Sequence, residues 1–378
     1  KYLVITILPE LGGRILQVEH KPTGTRMFYN NSVVKPTAWG PPEQRGWLAL
    51  GGLEWDLPVE EHGYAWGEPW GYIPLVFSPE RAAVTVFTPQ DGRALSASIT
   101  VELLADAATF TIEPTISNVS GASQRFDFWH NAMLAPGSGE GISPAIHFVL
   151  PTDSMMVHST ADVRLPAPGQ QVSWPLYQGR DLSRLETWDP YAGLFEAPAA
   201  HGPFTAVYDT QQDAGAVRTF PAAVMKGSKL FALGGSKALD PALYTDDGSA
   251  YVELHGGLAP TFAQQTELPP GGSVTWRENW YPVAGLGDLS TANELAALAA
   301  EVDPQAVRIA VEVVHPMDID VVLLDSAGGE LARAAVALTP AGAAHLAWQR
   351  SALAAAPASV RLESAHALVL RYDLPQSD

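Results

Sequence analysis

The sequence predicts an all-β protein, and three observations lead to that prediction. Glycine and proline are frequent and scattered, with 33 Gly and 31 Pro in 378 residues. Between them lie short stretches in which β-branched or aromatic residues alternate with others, for example at 83–87, 96–101 and 109–113. Helical periodicity is nearly absent before residue 288. Short runs of period two with frequent turn signals are typical of a β-sandwich or β-barrel.

A change of composition near residue 288 predicts a second, smaller domain. Ten of the 11 tryptophans precede this residue, and no lysine follows it. Six strand-like runs then occur at 307–314, 319–324, 331–338, 344–349, 360–363 and 368–372. We therefore expect a large β-domain over residues 1–287 and a small immunoglobulin-like β-sandwich over residues 303–378.

Residues 288–302 predict a helical connector between these two domains. Ser290 or Thr291 can cap a helix over residues 292–302, and Glu294 lies three residues after Thr291, as in a capping box. The apolar stripe of this helix would consist of Leu295, Leu298 and Ala299.

The net charge excludes some classes of partner. It is −19, from 22 Lys and Arg against 41 Asp and Glu. A phosphate backbone or an anionic membrane would repel such a surface, so we expect neither nucleic acid nor a membrane as a partner. No apolar run approaches the ~20 residues that span a bilayer, and a soluble protein is expected. The chain starts at Lys1 inside a strand-like run, so the compartment stays open, with the cytoplasm favoured.

Cysteine is absent, which excludes disulfides, thiolate nucleophiles and thiolate metal sites. The ten histidines are dispersed, without a close pair at metal-ligand spacing. The motifs of zinc proteases, serine hydrolases, P-loop proteins and dinucleotide-binding proteins are also missing. We therefore expect no metal site and no cofactor.

Two N-terminal segments combine glycine with aromatic and titratable residues. In Gly12-Gly13-Arg14-Ile15 the glycines permit a tight bend, and Arg14 could reach a ligand or lie on the surface. The segment 51–70 contains Glu54 and His62. It also holds part of a group of tryptophans, namely Trp39, Trp47, Trp55, Trp66 and Trp70. Their indoles could form a core or serve as platforms for sugar rings, and the nearby charged residues, glycines and prolines favour a ligand site.

Two later segments carry further candidates. His130 lies in an aromatic strand after a turn at 118–121; alone it is either a core histidine or a general acid that works near pH 7. In the run 251–255, period two places Tyr251, Glu253 and His255 on one face. That face could line a cavity or point to solvent, and periodicity leaves both interpretations open.

Taken in order, these segments resemble the galactose mutarotase-like superfamily over residues 3–287. Gly12-Gly13-Arg14-Ile15 is similar to its opening strand, and Gly51-Gly52-Leu53-Glu54-Trp55 with His62 is similar to the signature of an uncharacterised bacterial subfamily. The runs 115–120 and 129–131 resemble its central strand pair, and 251–253 with the Pro-Gly turn at 270–271 resembles its late catalytic strand. The residues after His130 depart from the superfamily pattern.

The resemblance implies a large antiparallel β-supersandwich with a sugar cleft and an aldose 1-epimerase (mutarotase) activity that needs no metal or redox cofactor. It implies that His130 is the general acid at the ring oxygen and Glu253 the general base at the anomeric hydroxyl. Glu54 and His62 would bind hydroxyls, and Trp55, Trp66 or Trp70 would stack on the sugar. Further candidates for sugar binding are Arg14, Trp129 and His255.

Three alternatives remain open. The first is a non-catalytic carbohydrate-binding module that keeps the cleft without the chemistry. The second is a glycoside hydrolase or lyase; a hydrolase needs two carboxylates about 5–10 Å apart, which Glu253 with Glu54 or Glu278 could supply. The third is a structural β-protein whose tryptophans form a core. Neither the identity of the sugar nor the oligomeric state follows from the sequence.

Overall fold

The computed structural model describes residues 1–37, 47–196, 202–233 and 240–375. Trp39 lies outside the described residues. The first seventeen strands are β1 (Leu3–Leu8), β2 (Arg14–His20), β3 (Thr25–Phe28), β4 (Pro36–Thr37), β5 (Trp47–Leu48), β6 (Gly52–Asp56), β7 (Gly71–Phe77), β8 (Arg81–Phe87), β9 (Leu95–Leu104), β10 (Phe110–Asn118), β11 (Gln124–Phe126), β12 (Trp129–Gly137), β13 (Ile146–Val149), β14 (Ser154–Thr160), β15 (Gln171–Ser173), β16 (Leu176–Tyr177) and β17 (Arg180–Asp181).

The later strands complete the all-β fold that the sequence predicts. They are β18 (Tyr191–Glu196), β19 (Phe204–Asp209), β20 (Ala214–Thr219), β21 (Gly227–Leu233), β22 (Val252–Gly257), β23 (Thr266–Leu268), β24 (Ser273–Thr275), β25 (Glu278–Ala284), β26 (Thr291–Ala292), β27 (Ala296–Val302), β28 (Ala306–Val313), β29 (Met317–Leu324), β30 (Glu330–Leu338), β31 (Ala344–Gln349), β32 (Ser359–Ser364) and β33 (Ala367–Asp373). Among the described residues, three single-turn 3₁₀ helices cover Leu185–Thr187, Pro241–Leu243 and Arg350–Ala352. Within the described ranges no helix is long and apolar enough to cross a membrane.

Two large antiparallel sheets form the large unit. One has ten strands in the order β1-β2-β3-β12-β22-β21-β18-β14-β15, with β6 beside β12 and β2. The other has nine strands in the order β13-β19-β20-β25-β10-β9-β8-β7, with β24 beside β10. Alternate residues of both sheets point inward and form one apolar core, to which Leu134, Leu254 and Trp280 belong. Side chains of the other parity in the ten-stranded sheet therefore lie on its outer face.

The C-terminal unit is a small β-sandwich. Its sheets run β26-β27-β28-β31 and β30-β29-β32-β33, with a core of their own that includes Leu298, Val321 and Leu362. The six predicted runs are confirmed as strands β28 to β33. A further apolar cluster, with Tyr208 and Tyr281 from the nine-stranded sheet and Ala299 and Ala310 from the C-terminal unit, joins the two units. Because this cluster is shared, a domain boundary at residue 288 stays a prediction.

The predicted helix at 292–302 is wrong: this stretch forms β26, a turn and β27. The Asn293 side chain makes the turn, since its Oδ1 accepts hydrogen bonds from the backbone N–H groups of Leu295 and Ala296 at 2.9 and 3.0 Å. The first four residues of β27 are buried on both faces: Leu298 packs in the sandwich core and Ala299 against the large unit. A strand buried on both faces is apolar at every position, so its residues also fit a helical stripe.

Candidate functional site

A row of polar side chains crosses four adjacent strands of the ten-stranded sheet. The pairing of β6, β12, β22 and β21 sets Glu54 opposite Asn131, Asn131 opposite His255, and His255 opposite Lys229. Their sequence neighbours, such as Leu53, Ala132, Leu254 and Leu230, belong to the core between the sheets. All four polar side chains therefore lie on the outer face of this sheet, which we call the polar face.

An aromatic wall borders this row. Trp129 lies opposite Gly257, which in turn lies opposite Gly227. A Cβ on either glycine would collide with the indole of Trp129, so the two glycines allow the ring to lie across the neighbouring strands. The indole contacts Phe195 and Phe262, with ring centroids 5.7 and 4.8 Å away. These three rings are the aromatic wall of the site.

The loop after β6 brings two titratable side chains back over the polar face. Glu61, His62 and Gly63 all have left-handed backbone conformations, with φ of 44°, 68° and 56°. A Cβ at Gly63 would collide with the backbone of Leu57, so only glycine fits there. Left-handed non-glycine residues cost of order 1–3 kcal/mol each and cluster at functional sites. The fold accepts this cost where it places Glu61 and His62.

Glu54 and His62 form the first of two carboxylate–histidine pairs. The Nδ1 atom of His62 lies 2.7 Å from Oε1 of Glu54, and the indole N–H of Trp47 donates to the same oxygen at 3.1 Å. The Arg14 guanidinium forms an ion pair with Oε2. Burial alone would raise the pKa of Glu54, but the charges of Arg14 and His62 outweigh it and lower that pKa to about 2. Glu54 is therefore an anion at neutral pH.

Glu253 and His255 form the second pair, with His255 Nε2 3.0 Å from Glu253 Oε2. Burial and the nearby Lys229 ammonium lower the pKa of His255 to about 4. Burial opposes ionisation of Glu253, but the hydrogen bond from His255 outweighs it and lowers the pKa of Glu253. At neutral pH the imidazole is therefore uncharged and donates its Nε2 proton to the carboxylate, which leaves Nδ1 as an acceptor.

Several buried polar atoms of the polar face have no hydrogen-bond partner among the described residues. They are both carboxylate oxygens of Asp56, Nε1 of Trp129, Oδ1 of Asn131 and Nδ1 of His255. Buried polar groups in native proteins are nearly always hydrogen-bonded. Other buried atoms without a partner lie elsewhere, for example Nδ1 of His130 between the sheets, but those on the polar face are the ones placed to bond a ligand rich in hydrogen-bonding groups.

A third group of charges lies at the other end of the row. The Lys229 ammonium donates to Oε1 of Glu61 at 2.9 Å, and His158 Nε2 lies 3.1 Å from the same oxygen. The ring of Phe262 lies 4.7 Å from the ammonium. Glu61 thus connects the loop at 61–63 to Lys229 and His158 on the ten-stranded sheet.

In the described ranges, one set of side chains has the spacing to hold a metal ion. Donor atoms of Glu54, Asp56 and His62 all lie within 4.8 Å of one another. Glu54 is already bonded to Arg14 and His62. Burial and the charge of Glu54 raise the pKa of Asp56, which favours its neutral form. Because Glu54 is engaged by Arg14 and His62 and Asp56 favours its neutral form, we assign no metal-dependent step to the three residues.

The structure brings together most of the predicted site residues. Arg14, Glu54, His62, Trp129, Glu253 and His255 lie on or next to the polar face. Trp66 packs beside it, against the cluster that contains Trp47 and Tyr29.

His130 lies on the opposite face of its strand, which corrects the predicted pairing with Glu253. It is fully buried between the sheets, where its Nε2 lies 3.1 Å from Glu278, and Arg218 binds the same carboxylate. The physical reason is the period of two: Asn131, one residue later, points to the polar face instead. Glu278 binds this histidine between the sheets, whereas Glu253 lies on the outer face of the ten-stranded sheet, so the two carboxylates do not face each other as a hydrolase would require.

Trp55 and Trp70 are also placed differently from the prediction. Both belong to the apolar core, where the indole N–H of Trp55 donates to the carbonyl of Gly13 at 3.1 Å and that of Trp70 to the carbonyl of Ala65 at 3.2 Å. Trp55 alternates with Glu54 along β6, so a strand that exposes Glu54 to the site must bury Trp55. Stacking on a sugar is therefore corrected for these two residues.

Sequence reasoning missed several residues of the site. They are Asp56, Glu61, Asn131, His158, Phe195, Lys229 and Phe262. Asp56 shares the parity of Glu54, and Asn131 lies opposite in parity to His130, so the alternation of β6 and β12 could have identified both. His158, Phe195 and Lys229 lie on β14, β18 and β21, and no local signal in the sequence connects these strands to the site.

Solved structures share the architecture of the large unit. A candidate aldose 1-epimerase from Klebsiella pneumoniae subsp. pneumoniae matches with a TM-score of 0.52 and 15% identity over 74% of this chain and 76% of its own. A candidate mutarotase, YeaD, from Salmonella typhimurium matches with a TM-score of 0.54 and 9% identity over 75% and 88%. The large unit therefore has the galactose mutarotase-like fold, as the sequence predicts.

The amino-acid sequence identifies the family to which the chain belongs. The chain belongs to the family of the domain of unknown function DUF5107, whose pattern matches residues 1–283. A TPR-domain containing protein from Parabacteroides distasonis matches with a TM-score of 0.63 and 21% identity over 74% of this chain. This chain spans 45% of the length of that protein.

Proposed function

We propose that this protein binds a sugar on the polar face and interconverts its anomers, as an aldose 1-epimerase does. The observation that carries the proposal is the pair of carboxylate–histidine couples, Glu54–His62 and Glu253–His255, with unpartnered buried polar atoms between them. Sugars offer many hydroxyls to such atoms and an apolar ring face to the aromatic wall. The fold shared with proteins named as epimerases supports the same substrate class.

Anomer exchange needs a base at the anomeric hydroxyl and an acid at the ring oxygen. We assign the base to Glu253, an anion whose side chain is 7% exposed. We assign the acid to His62, whose Nδ1 is held by Glu54 and whose Nε2 has no partner among the described residues. His62 is 12% exposed, so a ligand can reach it, whereas His130 is fully enclosed.

The proton transfers balance over one cycle. Glu253 takes the proton of the anomeric hydroxyl while His62, in its protonated form, gives its Nε2 proton to the ring oxygen. The bond between the anomeric carbon and the ring oxygen breaks, and the resulting carbonyl turns its other face. Ring closure then returns both protons to their donors. Each positioned proton transfer contributes about 10²–10⁴-fold to the rate.

The charges of the site favour this reaction over glycoside hydrolysis. A hydrolase of the usual kind needs a protonated carboxylic acid beside a carboxylate. Glu54 is held as an anion by its ion pair with Arg14. Asp56, whose raised pKa favours the neutral form, is fully buried and is not exposed to a ligand as His62 is. A non-catalytic sugar-binding role would use the same face without proton transfer, and the following experiment separates the two.

The test is proton NMR saturation exchange on a panel of aldoses at anomeric equilibrium. We expect the protein to accelerate exchange, and we expect Glu253→Gln and His62→Gln each to reduce the acceleration by about 10²-fold or more. His345→Gln, on an exposed strand of the C-terminal unit, is the matched control and should keep full activity. Binding without acceleration would reject the enzyme in favour of a binding module. Acceleration that survives both substitutions would reject the assigned residues.

A further inference from the structure

Lys229 places a buried ammonium group on the polar face. Its side chain is 2% exposed, and its position on β21 is fixed by pairing with β22 and β18. The rings of Phe262 and Phe231 lie 4.7 and 5.8 Å from the ammonium. Burial of an unpaired charge is costly, so Lys229 requires an anion beside it.

The anion beside Lys229 is the carboxylate of Glu61, which also faces His158. Both contacts use the same oxygen, at 2.9 and 3.1 Å. Burial raises the pKa of Glu61, but Lys229 and His158 outweigh it and lower that pKa below its ordinary value, so the group is ionised at neutral pH.

The two partners differ in how easily they can leave. Lys229 lies under aromatic rings in the middle of a sheet. Glu61 is 38% exposed and belongs to the strained loop with left-handed residues at 61–63. If a ligand displaced this loop, the Glu61 carboxylate would enter water, whereas Lys229, fixed on β21, would stay buried. An anionic group on a ligand can therefore replace the Glu61 carboxylate beside Lys229 without changing the net charge there.

We infer that Lys229 and His158 form a subsite for a carboxylate, which Glu61 occupies in the free protein, and that the ligand is a sugar acid. This inference rests on the proposed function, since it names the class of sugar. A uronate supplies one carboxylate to Lys229 and His158, which bind the carboxylate of Glu61 in the free protein. A neutral sugar would leave the place of Glu61 unchanged, and a phosphate would bring a second negative charge close to Glu253 and Glu54.

The experiment is isothermal titration calorimetry on the full chain. The ligands are glucuronate and galacturonate, with glucose and galactose as their neutral counterparts and glucose 6-phosphate as the phosphate arm. We expect a uronate to bind at least tenfold more tightly than its neutral counterpart. Lys229→Met should weaken uronate binding by about 10–100-fold, the usual effect of losing a hydrogen bond between charged groups. Glu61→Gln should strengthen it, because the competing carboxylate is gone.

Lys226→Met is the matched control, since this exposed lysine precedes the same strand and should leave binding unchanged. If Lys229→Met does not fold, the direction of the Glu61→Gln effect decides. Equal or tighter binding of the neutral sugars, or tighter binding of the phosphate, would overturn this inference alone. If none of the five sugars binds, the proposed function fails together with it.

Discussion

The ionisation of His255 follows from its surroundings. Its ring is buried on β22, with the Lys229 ammonium on one side and the Glu253 carboxylate 3.0 Å from Nε2. Burial and Lys229 disfavour a second proton more than Glu253 favours it, and the pKa of His255 falls to about 4. Near pH 7 the neutral ring orients Glu253 without neutralising it, so the carboxylate keeps the charge that a base needs.

This depressed pKa predicts a pH dependence of stability. The unfolded chain takes up a proton on His255 near pH 6.5 and the folded protein only near pH 4. Stability from this group is therefore complete above about pH 6.5 and is lost as the pH falls to 4, by up to about 3 kcal/mol. We expect His255→Gln to lose less stability than the wild type over this range in urea unfolding. Parallel stability curves for the two proteins would contradict this origin.

At the same scale, the sequence identified residues better than it identified the faces on which they lie. Titratable residues among glycines and tryptophans indicate Glu54 and His62, whereas the period of two and the family resemblance indicate Glu253 and His255. The family resemblance assigns His130 to the site, but the face of a strand is set by its pairing. His130 and Asn131 are adjacent in sequence, but His130 points between the sheets and Asn131 points to the polar face. A single sequence does not indicate which of the two side chains points outward.

Among the elements, β28 joins the two units through a buried acid. Glu312 is 4% exposed and accepts a hydrogen bond from the backbone N–H of Ala284, on β25, at 2.8 Å. Burial raises the pKa of Glu312 to about 8; the hydrogen bond opposes this shift, and Asp213 adds to it. The folded protein therefore holds a proton on this group at neutral pH.

The raised pKa makes the contact between the units sensitive to base. The folded protein retains the Glu312 proton up to about pH 8, whereas the unfolded chain loses it near pH 4.5. Stability from this group is thus full below pH 4.5 and lost as the pH rises through 8, by at most about 5 kcal/mol. We expect Glu312→Gln to be more stable than the wild type at pH 9, measured by urea unfolding. The control Glu301→Gln, at an exposed position of the same sheet, should show no such gain; a similar gain there would refute the role of burial.

Element types were predictable where one face is polar and ambiguous where both are apolar. The alternation of apolar with other residues, together with the turn signals between the runs, predicts strands β28 to β33. The run at 296–302 does not, because residues 296–299 are buried on both faces, which removes the alternation that separates a strand from a helix. The conformation of the loop at 61–63 was also not predictable from the sequence, because its left-handed backbone depends on the close approach of Gly63 to Leu57.

For the whole molecule, the arrangement of layers leaves the polar face free of the C-terminal unit. That unit packs on the outer face of the nine-stranded sheet through Tyr208, Val283 and their neighbours. The polar face belongs to the other large sheet. A separate cleft of about 900 Å³ lies between the two units and is lined by His147, Arg184, Asp288 and His345 among others. The overall architecture followed from sequence patterns and a family resemblance, whereas this relation between the units did not.

The central claim is that sugar binds at the polar face, and imidazole nitrogen NMR during a sugar titration tests it most directly. The ten histidines are distributed over both units, and single His→Gln variants assign their signals. We predict that the signals of His62, His158 and His255 shift as the sugar saturates, while those of His147 and His345 stay in place. Shifts confined to His147 and His345 would place the sugar in the cleft between the units and contradict the account.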